Sequence, residues 1–118
     1  MTMQPASTVT TMITPPNRPI AAFVAAAARI SGVSPAMICG PARTPNVVRV
    51  RDALIWSAMM ALGVSYSEIG RRLGNRDHST IRIAFNRASA RWRSDADFAQ
   101  LCEAIAATPV HYDTTKPA

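Results

Sequence analysis

The sequence has few cysteines and no long apolar run. These two features limit the classes of protein to which it can belong. Its two cysteines, Cys39 and Cys102, lie far apart and have no histidine at metal-ligand spacing. We therefore expect free thiols in a reducing cytoplasm rather than a disulfide or a zinc site. The longest apolar stretch, residues 20–28, has nine residues, which is too short for a membrane span. The first residues also lack the basic segment and apolar core of a secretory signal.

Catalytic and nucleotide-binding patterns are missing from the 118 residues as well. The sequence shows no catalytic carboxylate pair, no metal-ligand cluster and no G-x-x-x-x-G-K-[ST] loop. Asp77, His78 and Ser79 are adjacent at the start of a predicted helix, so they point in different directions and form no proton relay. We predict a protein that is not an enzyme and that uses no cofactor and no metal ion.

Acidic residues are scarce in the middle of the chain. The net charge is +6 and the sequence pI is about 10.7. Residues 41–93 hold ten arginines against three acidic residues, whereas residues 94–118 carry a net negative charge. Arginine forks match phosphate oxygens, and a basic block inside a folded region is the usual footprint of nucleic-acid binding. The charge distribution therefore favours a nucleic-acid partner.

The spacing of apolar residues predicts an all-α fold of about six helices. In the first helix Ile20, Phe23, Val24 and Ile30 recur at helical spacing, and no segment shows the period of a strand. Residues 1–17, which are rich in threonine and proline, are predicted to form a flexible arm. Residues 18–107 are predicted to form one helix-turn-helix DNA-binding domain, and residues 108–118 a flexible tail. We expect a monomer, with oligomerisation left open.

The stretch GNRDHSTIRIAFNRA, residues 74–88, places several polar groups just before and at the start of a helix. A short helix capped by Ser65 ends at Gly74, and Asp77 can cap the next helix. Two helices joined by a tight glycine-containing turn form a helix-turn-helix, whose second helix enters the major groove. The residues that would meet base edges are short and polar: Asp77, His78, Ser79 and Thr80.

This stretch resembles a signature near G-G-R-D-H-[ST]-T-[VI] in the C-terminal DNA-binding domain of the bacterial replication initiator DnaA. The chain reads G-N-R-D-H-S-T-I at residues 74–81, and the likeness extends over residues 19–107. The resemblance implies the Trp-repressor-like helical fold of that domain and binding of double-stranded DNA at DnaA boxes. Ser79 stands where many members have threonine, so a methyl contact with thymine would be lost and the preferred box would differ.

The resemblance also implies a role for each matching residue. Residues 77–80 would read the box in the major groove, and Arg43 on the loop GPARTPN would enter the adjacent minor groove. Arg51 and Arg76 would hold phosphates. Arg82, at a position where an uncharged residue is common, would add a phosphate or guanine contact.

We therefore expect a stand-alone DNA reader without ATPase activity that regulates replication or transcription. It would be cytoplasmic and nucleoid-associated, encoded by a bacterium, phage or plasmid, with other replication or transcription proteins as further partners. An alternative is a protein-interaction adaptor that keeps the helix-turn-helix as a scaffold and binds partners through Trp56, Met59, Met60 and Trp92. Binding of RNA or single strands would need exposed aromatic platforms, and the seven aromatics mostly fall at apolar helical positions.

Overall fold

Six α helices and no strand make up residues 18–109, the part of the chain described by the computed structural model. The helices are α1 Arg18–Ser31, α2 Pro35–Cys39, α3 Pro45–Leu62, α4 Tyr66–Arg72, α5 His78–Ser94 and α6 Ala96–Ala106. The prediction of an all-α fold with a central helix-turn-helix is confirmed. The arm predicted at residues 1–17 and most of the tail predicted at residues 108–118 lie outside the described residues.

Four helices begin at a side chain that accepts a backbone hydrogen bond. Ser34, Ser65, Asp77 and Asp95 each occupy an N-cap position and accept from an amide two or three residues onward. These bonds satisfy amides that have no partner within the helix. The local sequence thus sets where α2, α4, α5 and α6 begin, including the start of α5 at the candidate site.

The long helix α3 lies at the centre of the fold and packs against each of the other five helices. One apolar cluster joins all six, and Phe23, Leu54, Ile69, Ile81 and Phe98 in it are each at most 1% exposed. Burying large side chains of this kind stabilises a domain by about 1.5–3 kcal/mol each. The cluster fixes α4 and α5 against α3, which leaves one side of α5 free.

The first helix differs from its predicted pattern in its last turn. Ile20, Phe23 and Val24 are buried as expected, but Ile30 is 42% exposed. The side chain lies at the edge of the apolar stripe, near the end of the helix. The difference leaves the core of α1 unchanged.

Candidate nucleic-acid interface

The turn between α4 and α5 is built from two consecutive residues in left-handed backbone conformation. Gly74 has φ 77° and Asn75 has φ 60°. Asparagine tolerates this region better than other non-glycine residues. The Arg76 amide then donates to the Gly70 carbonyl oxygen at 2.7 Å, which pulls the chain back against α4. A Cβ atom on Gly70 would collide with the backbone oxygen of Arg76, so this close approach needs glycine.

The first residues of α5 present short polar groups to solvent. Asp77 accepts a hydrogen bond from the Ser79 amide at 3.0 Å, so one carboxylate oxygen caps the helix. The side chains of Asp77 and His78 are 64% and 60% exposed. Thr80 is exposed as well, and Ser79 is half-buried. Of the four residues predicted to read bases, three are therefore fully accessible at the helix N-terminus.

The two sides of α5 differ sharply. Ile81, Ala84 and Ala88 face the core. Helical spacing places Ser79, Ile83 and Asn86 on the opposite side of the helix. Arg82 and Asn86 are exposed on that side, and so is Ile83. This outward face is the part of α5 that a DNA major groove can accept.

A groove of about 600 Å³ lies between the outward part of α5, helix α3 and the loop that follows α2. Arg43 lines it from the loop, Arg76 from the turn, and Thr80, Ile83 and Arg87 from α5. The structure therefore brings Arg43 to one concave surface with Arg76 and Thr80, which are more than 30 positions away in sequence. With Arg51, four arginines and one carboxylate, that of Asp52, line the groove, and this excess of positive charge favours an anionic ligand.

Arg51 has a structural role that differs from the expected phosphate contact. It is only 7% exposed, and its guanidinium donates to four backbone carbonyl oxygens. The distances from Nε to the Ile38 oxygen and from Nη2 to the Ala42 oxygen are 2.7 and 2.9 Å. A guanidinium enclosed in this way does not fit a role at the DNA surface. Arg51 instead holds the loop that carries Arg43 against α3.

Arg76 ties the same loop to the helix-turn-helix. Its guanidinium donates to the Gly40 oxygen at 2.6 Å and the Cys39 oxygen at 3.3 Å, and also to the Leu73 oxygen. Together with Arg51, it fixes the loop from both sides. Burial, followed by the nearby charge of Arg76, lowers the pKa of Arg51, but an arginine stays protonated even so.

Arg87 is held by a carboxylate that sequence reasoning did not single out. Its Nε and Nη2 atoms donate to the two oxygens of Asp52 at 2.7 and 2.8 Å. The Asp52 side chain is 2% exposed, whereas the Arg87 side chain is 48% exposed. The hydrogen bond to Asp52 raises the pKa of Arg87. A charged residue within the apolar pattern of α3 was the available signal.

Arg49, in the first turns of α3, forms an ion pair within the protein. Its Nη1 atom lies 3.0 Å from Oδ2 of Asp95. Both Arg49 and Arg91 also lie over the ring of Phe98, 5.4 and 5.5 Å from its centroid. The hydrogen bond from Arg49, followed by that from the Phe98 amide, lowers the pKa of Asp95. Arg49 is thus part of the packing of α6.

The residues of the adaptor alternative pack mainly against the core. Trp56 and Trp92 stack with ring centroids 5.3 Å apart, and both are half-buried, as is Met59. Met60 is 61% exposed. Within residues 18–109 no aromatic side chain is classed as exposed, so this part of the chain offers no stacking platform for unpaired bases.

Comparison with known proteins decides the family. The model for the bacterial DnaA helix-turn-helix matches residues 20–87, more than half of the chain. The chain belongs to the bacterial DnaA helix-turn-helix family. The matched region contains the loop with Arg43, helix α4, the turn and the first part of α5, so the chain carries the DNA-binding domain of that family. The resemblance inferred from residues 74–81 is confirmed.

Curated relatives are chromosomal replication initiator proteins DnaA. The chain is 38% identical over 63 residues to the protein of Thermomicrobium roseum, covering 53% of this chain and 14% of that one. It is 35% identical over 78 residues to the protein of Rhodopseudomonas palustris, covering 66% of this chain and 16% of that one. The chain therefore matches about a sixth or less of the length of these relatives.

Residues 18–109 contain no group of three or more His, Cys, Asp or Glu side chains placed to hold a metal ion. None of the helices in this segment has the length and apolar character needed to cross a membrane.

Proposed function

We propose that the protein binds double-stranded DNA in a sequence-specific way at sites like the DnaA box. Asp77, His78, Ser79 and Thr80 at the start of α5 read bases in the major groove, and Arg43 enters the adjacent minor groove. The observation that carries this proposal is the common surface of Thr80 and Arg43, which line one groove although 37 positions separate them. A recognition helix and a basic loop side by side match two neighbouring grooves of a duplex.

The backbone contacts follow from the arginines around this surface. Arg82 is exposed on the outward side of α5 and contacts a phosphate or a guanine. Arg76 lines the groove, is half-buried and remains a proposed phosphate contact. Arg51 is left out of this set because its guanidinium is enclosed by loop carbonyls.

We further propose that the protein acts as a regulator of replication or transcription by occupying such sites, without ATPase activity of its own. The 118 residues contain no phosphate-binding loop, so origin melting by ATP-driven assembly is not a property of this segment. Occupied boxes are closed to a competing initiator. This role makes the protein nucleoid-associated.

Fluorescence anisotropy tests the proposal directly. The protein is titrated into a labelled duplex with one DnaA box and, separately, into a scrambled duplex of equal composition, both at about 0.15 M salt. We expect the box to bind at least tenfold tighter, and Arg43→Ala to remove most of that preference. Equal binding of both duplexes would contradict the proposal. Addition of an initiator DnaA to the preformed complex then tests competition for the box.

A further inference from the structure

Ile83 is an apolar residue on the DNA-facing side of α5 to which no role has been assigned. Its side chain is 58% exposed, although Arg82 and Asn86 beside it on the outward face are polar. An isolated exposed isoleucine is common on protein surfaces and by itself means little. The position is what matters, because Ile83 lines the groove together with Arg43 and Thr80.

The helix geometry determines what Ile83 meets. It follows Ser79 by four residues, so it lies on the same face about 6 Å further along the axis. If Ser79 and Thr80 contact bases, Ile83 therefore points to the bases that follow in the same major groove. The flanking charges of Arg82 and Arg43 fit the phosphates on either side.

The chemistry of the major groove offers one apolar partner. Among the four base pairs, only those with thymine present a methyl group there. Isoleucine is β-branched and restricted at χ1 in a helix, so it loses little freedom when it packs against such a methyl group. An apolar protein partner fits less well, because the exposed neighbours of Ile83 on α5 are charged or polar: Arg82, Asn86 and Arg87.

We propose that Ile83 packs against the C5-methyl group of a thymine and is a specificity-determining residue of this protein. The proposal rests on the proposed function, since it requires α5 to lie in the major groove. It also gives the chain an apolar contact that offsets the one lost at Ser79, where a threonine methyl is absent.

A thymine-to-deoxyuridine scan tests this contact, because the exchange removes one methyl group and leaves base pairing intact. Each thymine of the box duplex and its flanks is replaced singly, and binding is measured for the wild type, Ile83→Ala and Ile83→Val. We expect one position at which deoxyuridine weakens wild-type binding about threefold to fivefold, the effect of one buried methyl group. At that position the exchange of thymine for deoxyuridine leaves the affinity of Ile83→Ala unchanged, and it weakens the binding of Ile83→Val by a smaller factor than that of the wild type.

Met60→Ala is the matched control, since Met60 is an equally exposed apolar residue that lies outside the groove. We expect it to bind like the wild type on every duplex. Equal deoxyuridine effects in wild type and Ile83→Ala at all positions would overturn the proposal while leaving the box preference intact. A wild type that binds box and scrambled duplexes alike would instead overturn the proposed function, and the Ile83 contact with it. The Ile83 contact would also be overturned if Ile83→Ala bound DNA as tightly as the wild type but bound a protein partner more weakly.

Discussion

At the residue scale, the arginines of the basic block divide into two groups that charge alone does not distinguish. Arg51 and Arg76 bind backbone carbonyl oxygens of the loop after α2, and Arg49 and Arg87 pair with Asp95 and Asp52. Exposed arginines such as Arg43 and Arg82 remain for a ligand, and the half-buried Arg76 is proposed to contact a phosphate in addition to its bonds to the loop. Four of the ten arginines in residues 41–93 thus bind groups of the protein itself, while the net field of the block still attracts DNA.

Arg51→Lys is expected to destabilise the fold although it keeps the charge. A lysine ammonium cannot replace the fork that reaches four carbonyl oxygens, so buried acceptors lose their partners. We expect the free energy of unfolding to fall by about 2–3 kcal/mol, measured by urea denaturation followed by circular dichroism. Arg71→Lys, at an exposed position on α4, serves as the control. An unchanged denaturation midpoint in Arg51→Lys would contradict the scaffold role.

Asp95 predicts a pH dependence of stability. The hydrogen bonds from Arg49 and then from the Phe98 amide lower the pKa of Asp95 in the folded state. The ionised carboxylate therefore contributes to the stability of the fold, fully so above the ordinary aspartate pKa near 3.8. That contribution disappears as the pH falls through the lower folded pKa. Asp95→Asn keeps an N-cap residue but loses the charge. We expect the variant to be less stable at pH 7 and to converge with the wild type in acid. Thermal melting curves of both proteins at pH 7 and pH 2.5 check this. A difference in melting temperature that stays the same at the two pH values would count against it.

At the element scale, the helix-turn-helix depends on the close packing of a turn against α4. Gly70 admits the backbone of Arg76, and Gly74 and Asn75 reverse the chain in left-handed conformation. Arg76 then bonds the turn to the loop that carries Arg43. The two DNA-facing parts, α5 and the loop, are therefore positioned by one shared set of contacts.

Gly70→Ala is expected to damage both stability and DNA binding. The added Cβ would meet the Arg76 backbone oxygen and also approach the Ile81 side chain, and neither can move freely. We expect a loss of about 1–3 kcal/mol in unfolding free energy and a weaker preference for the box duplex. Ser67→Ala, exposed on the same helix, should retain both properties. Wild-type stability in Gly70→Ala would show that the turn is not tightly packed.

Local sequence patterns were sufficient for the helices and insufficient for the buried charges. Ser65 and Asp77 are caps that can be read from neighbouring residues, and both occupy the expected positions. The partners of Arg51 and Arg87 come from other parts of the chain, up to 35 residues away. Such contacts depend on tertiary packing, so the resemblance implied a phosphate contact for Arg51 and gave no sign that this residue is buried.

At the scale of the whole molecule, the charge is concentrated where the candidate interface lies. Residues 41–93 contain the loop with Arg43, the turn and α5, and they hold ten of the chain's arginines. The acidic residues Asp95, Asp97 and Glu103 belong to the cap and body of α6. The candidate interface is therefore more basic than the net charge of +6 indicates.

Binding to DNA is expected to weaken steeply with salt. Each phosphate contact releases condensed counterions, and three such contacts give at least a tenfold loss in affinity between about 0.05 M and about 0.2 M salt. Anisotropy titrations of the box duplex at several salt concentrations give the slope. An affinity that changes less than twofold over this range would indicate an apolar interface of the adaptor type instead.

The central claim is that residues at the start of α5 read bases, and His78 tests it most directly because its exposed side chain can be removed without touching the core. The measurement is the ratio of affinities for box and scrambled duplexes, in the wild type and in His78→Ala, at about 0.15 M salt. We predict a ratio of at least ten in the wild type and below three in His78→Ala, with unchanged thermal stability. An undiminished ratio in His78→Ala would contradict base reading by this residue and by the surface to which we assign it.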